Sequence, residues 1–91
     1  MKSILQEEKE CYICGSTVWL EKHHIYFSFN RKKSEANGFV VYLCHRHHNE
    51  PPDGVHFNVE VDNEIKQICQ VAYEHTHTRQ EFMNLIGRNY L

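Results

Sequence analysis

Two short stretches decide the fold: CYIC at residues 11–14 and CHRH at residues 44–47. Each holds two metal-binding side chains separated by two residues, Cys11 and Cys14 in a turn and Cys44 and His47 at the start of a predicted helix. A two-residue gap lets both thiolates of a turn reach one ion, and positions i and i+3 of a helix share a face. The two pairs together predict a closed Cys3His zinc site that builds the fold.

A disulfide between Cys11 and Cys14, or a redox motif, is the alternative reading of the first pair. Both are disfavoured in a cytosolic chain without a thioredoxin-like βαβ pattern. A structural zinc would also compensate for the small core of so short a chain, because its apparent binding free energy is about 10 to 16 kcal/mol.

Length and composition favour one small globular domain over residues 1–91. The chain is 41% apolar and 24% charged, which excludes disordered, collagen-like and multidomain classes. No stretch approaches the roughly 20 apolar residues of a membrane span, and residues 1–10 are charged where a signal peptide would be apolar. We expect a cytoplasmic protein without membrane contact, whose first ten residues are a frayed lead-in that only Ile4 and Leu5 could dock.

Hydrophobic patterning predicts an α+β core over residues 11–57. Val18 and Leu20 have strand character, residues 27–38 are predicted to form an exposed polar loop, and residues 39–43 form a second strand. A short helix over residues 44–49 follows and is ended by a Pro-Pro-Asp-Gly turn.

A two-helix extension is predicted over residues 58–91. Asn58 is a candidate N-cap for a helix that runs to about Glu74. Its apolar stripe comprises Val61, Ile65, Ile68, Cys69, Ala72 and Tyr73. Thr78 and Glu81 form a capping box for a second helix that ends at Gly87. Its stripe comprises Phe82, Met83, Leu85 and Ile86.

The histidines form a second pattern. The chain has eight, and the predicted zinc site uses only His47. His48 points about 100° around the helix from His47, so one helical turn could serve two metal sites. Side chains of consecutive strand residues point to opposite faces of the sheet. One of His23 and His24 can therefore bind an ion while the other contacts a substrate. This division suits metal-assisted hydrolysis with a neutral imidazole as proton acceptor; buried core histidines are the alternative.

In order, ligand type and spacing, Cys11-x2-Cys14, His23-His24-Ile25 and Leu43-Cys44-x2-His47-His48 resemble the HNH endonucleases. In that family a ββα-metal motif is often embedded in a zinc-bound treble clef. The wider pattern, with Glu81-Phe82-Met83 and the tail from Gly87 to Leu91, is similar to small HNH proteins of bacteriophages and prophages.

The resemblance implies a metal-dependent endonuclease that hydrolyses DNA phosphodiesters to 5′-phosphate and 3′-hydroxyl ends. It implies that His24 is the general base, that His23 and His48 ligate the catalytic ion, and that His56 is a third ligand or contacts a phosphate. The ion could be Mg²⁺, Mn²⁺, Ni²⁺ or Zn²⁺. Many family members have Asn five residues before the Cys of the second pair, where this chain has Phe39 and the nearest substitute is Asn37.

Charge limits how DNA can be bound. Ten basic against twelve acidic residues give a net charge of -2, so contact with DNA must be local. The candidates are Arg31, Lys32 and Lys33, with Arg46 and Lys22 as secondary ones; a solvated loop is the alternative. We also expect a DNA-processing partner of phage or bacterial host origin to assist loading in the host cytoplasm.

The rival hypothesis is a noncatalytic zinc module that binds nucleic acid or protein and uses only the four structural ligands. The remaining candidates are expected to be structural. They are Cys69 as a buried inert thiol, His75 and His77 at a helix end, Trp19 and Tyr42 in packing, and His45 as a solvent-facing neighbour of the ligands, whose alternative is to take the place of His48.

Overall fold

Two antiparallel strands form the centre of the computed structural model, which describes residues 2–91. Strand β1 is Leu20–His24 and β2 is Val40–Cys44, and they pair over their full length, with Leu20 opposite Cys44 and His24 opposite Val40. Four α-helices surround this sheet within the described residues: α1 Arg31–Asn37, α2 His45–Asn49, α3 Val59–Glu74 and α4 Arg79–Ile86. Single 3-10 turns lie at Ser28–Asn30 and Val55–Phe57. The protein is therefore a small α+β structure, as its patterning predicts.

The segment from residue 27 to 38 is helical, so its prediction as a loop is wrong. Only Ser34 of α1 is buried, and the helix therefore shows no apolar periodicity in the sequence. The Ser34 hydroxyl donates to the Tyr26 carbonyl at 2.7 Å and accepts from the Tyr26 N–H at 3.1 Å. A polar anchor thus fixes α1 against the chain that leaves β1, and Gly38 ends the helix with φ of 73°.

The chain before β1 also differs from expectation. Val18 lies outside the strand, and Trp19, expected to pack, is 85% exposed with φ of 52°. This left-handed backbone turns the chain immediately before Leu20. The strand begins later than expected, and His23 and His24 lie within β1 rather than after it.

Residues near the N-terminus are bound to the domain and not frayed. The Ile4 N–H donates to the Gly38 carbonyl at 2.9 Å, and the Tyr42 N–H donates to Gln6 Oε1 at 2.7 Å. Leu5 packs against the core, as expected for a docking residue.

The two C-terminal helices confirm their capping signals. Asn58 Oδ1 accepts from the Val61 N–H at 3.2 Å, and Thr78 and Glu81 form both bonds of the capping box. Gly87 ends α4 with φ of 90°. From the predicted stripes, Ile65, Cys69, Phe82 and Ile86 are buried, whereas Ile68 and Met83 remain more than a third exposed.

The core lies between the sheet and these helices. Its largest members are the aromatic rings of Tyr26, Phe39 and Phe82, with Tyr26 5.4 Å from Phe82 and 5.5 Å from Phe39 between ring centroids. Phe39 is fully buried in this cluster. This is the position at which many HNH endonucleases, the family that the sequence resembles, have Asn. The longest helix, α3, has 16 residues, and none of the helices in the described range combines the length and apolar character needed to cross a bilayer.

Candidate metal centre

Four side chains from the two CxxC-like stretches converge on one point. The metal-binding atoms of Cys11, Cys14, Cys44 and His47 all lie within 4.8 Å of one another. Cys14 and Cys44 sulfurs are 3.8 Å apart, and Nδ1 of His47 lies 3.2 Å from Cys44 Sγ and 3.8 Å from Cys11 Sγ. Zn–S bonds of about 2.3 Å in a tetrahedron place two sulfurs about 3.8 Å apart. The cluster could hold a metal ion, and its donor set is consistent with a structural zinc.

The local backbone favours the thiolate form of Cys11. Although burial opposes the charge, N–H groups of neighbouring residues, those of Cys44 and Cys14 foremost, lower the pKa of the Cys11 thiol to about 6. The four cysteines are free thiols, so the disulfide alternative for Cys11 and Cys14 is not realised in this structure. Thiolates held in this arrangement are the ligands that zinc prefers.

Helix α2 divides its histidines between two clusters. His47 belongs to the cysteine cluster, whereas His48 joins His23 from β1 and His56 from the second 3-10 turn. Ring centroids in this second cluster are 4.8 to 5.2 Å apart. The sequence prediction that one helical turn serves two groups of metal-binding side chains thus corresponds to the observed placement.

The three imidazoles of the second cluster turn ring nitrogens toward one another. Nε2 of His48 and Nε2 of His56 are 3.1 Å apart. Nε2 of His23 is buried and has no hydrogen-bond partner within residues 2–91. An unpartnered buried polar atom is costly, and an ion bound between the three imidazoles would remove that cost. The ligating atoms of all three lie within 4.8 Å of one another.

Glu21 fixes the orientation of His48. Nδ1 of His48 lies 2.7 Å from Glu21 Oε1, and Asn49 donates to the same oxygen at 2.9 Å. A carboxylate accepts hydrogen bonds, so Nδ1 of His48 donates to Glu21, and the opposite nitrogen, Nε2, faces Nε2 of His56. Histidine metal ligands are commonly oriented by such a carboxylate. Bonds from His45, His48 and Asn49 lower the pKa of Glu21 to about 2, so it is ionised at neutral pH.

Burial keeps His23 neutral. Removal from water, with the neighbouring imidazoles of His48 and His56 as further causes, lowers the pKa of His23 to about 3. His56 also has a lowered pKa, first through burial and then through His48. Neutral imidazoles are the form that binds metal ions.

His24 points to a different partner from its neighbour His23. Its Nε2 lies 3.1 Å from Glu35 Oε1 on α1, and Lys22 also reaches Glu35, at 3.2 Å. These contacts, His24 first, lower the pKa of Glu35 to about 2. Nε2 of His24 therefore donates to a carboxylate, and its Nδ1 is left with the lone pair. Asn37, the expected substitute for the missing Asn, bonds instead to the Lys33 carbonyl within α1.

His24 and the histidine cluster line one cleft of about 250 Å³. Arg31 and Lys22 also line it, with Phe27. A second cavity of about 260 Å³ continues past His24 along Arg31, Lys32 and Glu35. Cations and imidazoles thus share one surface.

The other predicted residues lie away from this cleft. Arg46 is paired with Asp53 at 2.8 Å and lines a separate pocket beside Trp19. His45 is solvent-facing, as expected, and contacts Glu21 rather than the second cluster. His77 stacks on Tyr73 at 4.0 Å.

Two further predictions about side-chain environment are confirmed. Cys69 is fully buried, and burial raises the pKa of its thiol to about 12. Tyr42 is half-buried in the β1–β2 hairpin, opposite Lys22, with Lys9 Nζ 5.1 Å from its ring centroid.

Sequence reasoning missed both carboxylates of the site. A signal for Glu21 exists, since it lies two residues before His23 and so on the same face of β1. No sequence feature pointed to Glu35, because the helix that carries it, α1, was not predicted.

Comparisons with protein-family models, with curated proteins and with solved structures find no significant match. The case for a function therefore depends on the residues and their geometry.

Proposed function

We propose that this protein is a metal-dependent endonuclease of the HNH type that hydrolyses phosphodiester bonds of DNA. The observation that carries the proposal is the shared cleft, in which His24 lies beside the inward-facing imidazoles of His23, His48 and His56. In this proposal the two strands and α2, preceded by the Cys11 turn, are the ββα-metal core of a treble clef.

The second cluster fits a divalent ion. Three imidazoles, one with a buried Nε2 that lacks a partner and one oriented by Glu21, form a donor set that transition metals accept. An ion bound there supplies Lewis-acid stabilisation of the charge that develops on the phosphate and on the leaving oxygen.

The remaining roles in the reaction belong to side chains of the protein. Nδ1 of His24 takes the proton from the attacking water, while Glu35 holds the opposite nitrogen. Arg31, which lines the same cleft and is exposed, contacts the phosphate backbone. Cys11, Cys14, Cys44 and His47 hold the scaffold through zinc and touch no substrate.

Plasmid nicking tests the proposal. Zinc-loaded wild type should convert supercoiled plasmid to the nicked form in the presence of Mg²⁺, Mn²⁺, Ni²⁺ or added Zn²⁺, whichever ion the imidazoles accept. His24→Ala should reduce the rate by about 10²- to 10⁴-fold, the usual contribution of a general base. His75→Ala, an exposed histidine outside the cleft, is the matched control and should retain wild-type activity.

A noncatalytic zinc module is the other outcome of this experiment. If wild type and His24→Ala are equally inactive with every ion, while each chain holds one zinc and remains folded, the nuclease proposal is wrong. Binding of nucleic acid or protein by the same folded chain would then be the function to pursue.

A further inference from the structure

Phe29 is an exposed aromatic residue two positions before Arg31, which lines the cleft. Its side chain is 90% exposed, more than that of any other large hydrophobic residue described. Phe29 lies in the 3-10 turn that leads directly into α1. Water is a poor solvent for a phenyl ring, so a ring held outward in this way is available to a partner.

The backbone beneath Phe29 is held in place. Ser28 has φ of 56°, in the left-handed region. Asn30 Nδ2 donates to the Ile86 carbonyl at 3.0 Å, and its N–H donates to the Phe27 carbonyl at 3.3 Å. The turn is thus fastened to α4 and presents the ring from a fixed base.

Three cations follow the Phe29 turn in the sequence, and one of them lies near the ring. Arg31 and Lys32 are exposed and form no ion pair or hydrogen bond through their side chains within residues 2–91. Lys33 Nζ lies 5.7 Å from the Phe29 ring centroid. Trp19, the other strongly exposed aromatic residue, lies instead beside Glu50 and an Arg46 already paired with Asp53.

We propose that Phe29 stacks on an unstacked nucleobase of the DNA substrate while Arg31 and Lys32 contact the flanking phosphates. An aromatic face with adjacent cations matches the alternation of bases and phosphates along a strand. Arg31 lines the cleft that contains His24, so the strand gripped here leads to that cleft. The inference deepens the proposed function, on which it rests, and predicts a preference for single-stranded, gapped or distorted DNA over intact duplex.

Tryptophan fluorescence gives a direct readout of stacking. Trp19 is the single tryptophan of the chain, so Trp19→Phe combined with Phe29→Trp places the sole indole at the proposed contact. Oligo-dT should quench this indole strongly, and a blunt duplex of equal length should quench it much less. Trp19→Phe combined with Phe57→Trp is the matched control, because Phe57 is 57% exposed and is not followed by a run of cations; its emission should change little.

Binding is measured in the His24→Ala background so that the DNA stays intact. Phe29→Ala should lower affinity for oligo-dT by about 5- to 100-fold, in line with loss of one base–aromatic stack, and Phe29→Tyr should restore it. Phe57→Ala should bind as the parent does. Because Phe29 is exposed, circular dichroism should show unchanged folding. Inorganic polyphosphate should compete without quenching the indole.

The inference fails if saturating oligo-dT leaves the indole at position 29 unquenched, or if Phe29→Ala binds as tightly as the parent. It also fails if polyphosphate and oligo-dT give the same quenching. Nicking by the wild type is assayed in parallel and separates the two proposals. Quenching without nicking overturns only the nuclease, and nicking without quenching overturns only the stacking contact.

Discussion

Glu21 and Glu35 each orient one imidazole of the candidate site by accepting a hydrogen bond from one of its two nitrogens. The first holds His48 and the second holds His24. Through these two bonds the carboxylates decide which nitrogen of each ring carries its proton. The proposed metal ligand and the proposed base therefore depend on residues that need not touch the substrate.

Glu35→Gln should lower the nicking rate about tenfold or more, because His24 loses the ionised partner that holds its ring and a misplaced group reacts slowly. We expect the effect in kcat rather than in KM, since Glu35 positions the base and does not bind DNA. Nicking kinetics compared with those of Glu64→Gln, an exposed carboxylate on α3, check this. Equal kcat for Glu35→Gln and the wild type would contradict the positioning role.

Glu21→Gln should weaken the second metal site by about 10- to 100-fold, the usual effect of removing an outer-shell partner of a histidine ligand. The cysteine cluster should keep its zinc, because Glu21 contacts none of its ligands. Calorimetric titration of one-zinc protein with a further divalent ion measures the change, with Glu60→Gln as control. An unaltered second affinity would show that Glu21 does not orient His48.

At the scale of elements, a helix or strand could be predicted where its own sequence contains the features that define it. Helix α2 and the two C-terminal helices could be predicted because ligand spacing, capping residues and apolar stripes all lie in their own sequence. Helix α1 could not, since its one buried side chain is polar and its N-cap makes no side-chain bond. The same is true of the positive φ at Trp19 and Ser28, which depends on tertiary contacts.

The missed helix α1 limits how much of the candidate site could be predicted. Because α1 was not predicted, neither Glu35 nor the presentation of Phe29 could be predicted, although the basic residues nearby could. The resemblance implied the grouping of His23 with His48 and offered His56 as a third ligand or a phosphate contact, and the structure places His56 with the other two imidazoles.

Ser34→Ala should destabilise the protein by about 1 to 3 kcal/mol, because two buried backbone groups of Tyr26 lose their partner. The nicking rate should fall as well, since α1 carries Glu35. Chemical denaturation of Ser34→Ala and of Thr17→Ala, an exposed control, measures the first effect. A loss of stability equal to that of the control would contradict the anchoring role.

At the scale of the whole molecule, the cysteine cluster links three segments of the chain. The Cys11 turn, the end of β2 and α2 meet at the cysteine cluster. The aromatic core instead joins the sheet to the C-terminal helices. The cleft that contains the histidine cluster is therefore formed by elements that the cysteine cluster and the aromatic core keep in position.

Removal of a zinc ion bound at the cysteine cluster should therefore unfold the part of the chain that carries the histidine cleft. We expect EDTA to lower the thermal midpoint sharply and Zn²⁺ to restore it, because a structural zinc contributes directly to folding free energy. Mg²⁺ should not restore it, since thiolates do not favour a hard cation. A midpoint unchanged after complete zinc removal, shown by metal analysis, would mean that the cluster is dispensable.

The most direct test of the account is anomalous diffraction from crystals grown with excess Zn²⁺. We predict two peaks, one within Cys11, Cys14, Cys44 and His47 and the other bound by the imidazoles of His23, His48 and His56. A single peak at the cysteines, with His23 and His48 turned away from each other, would contradict it.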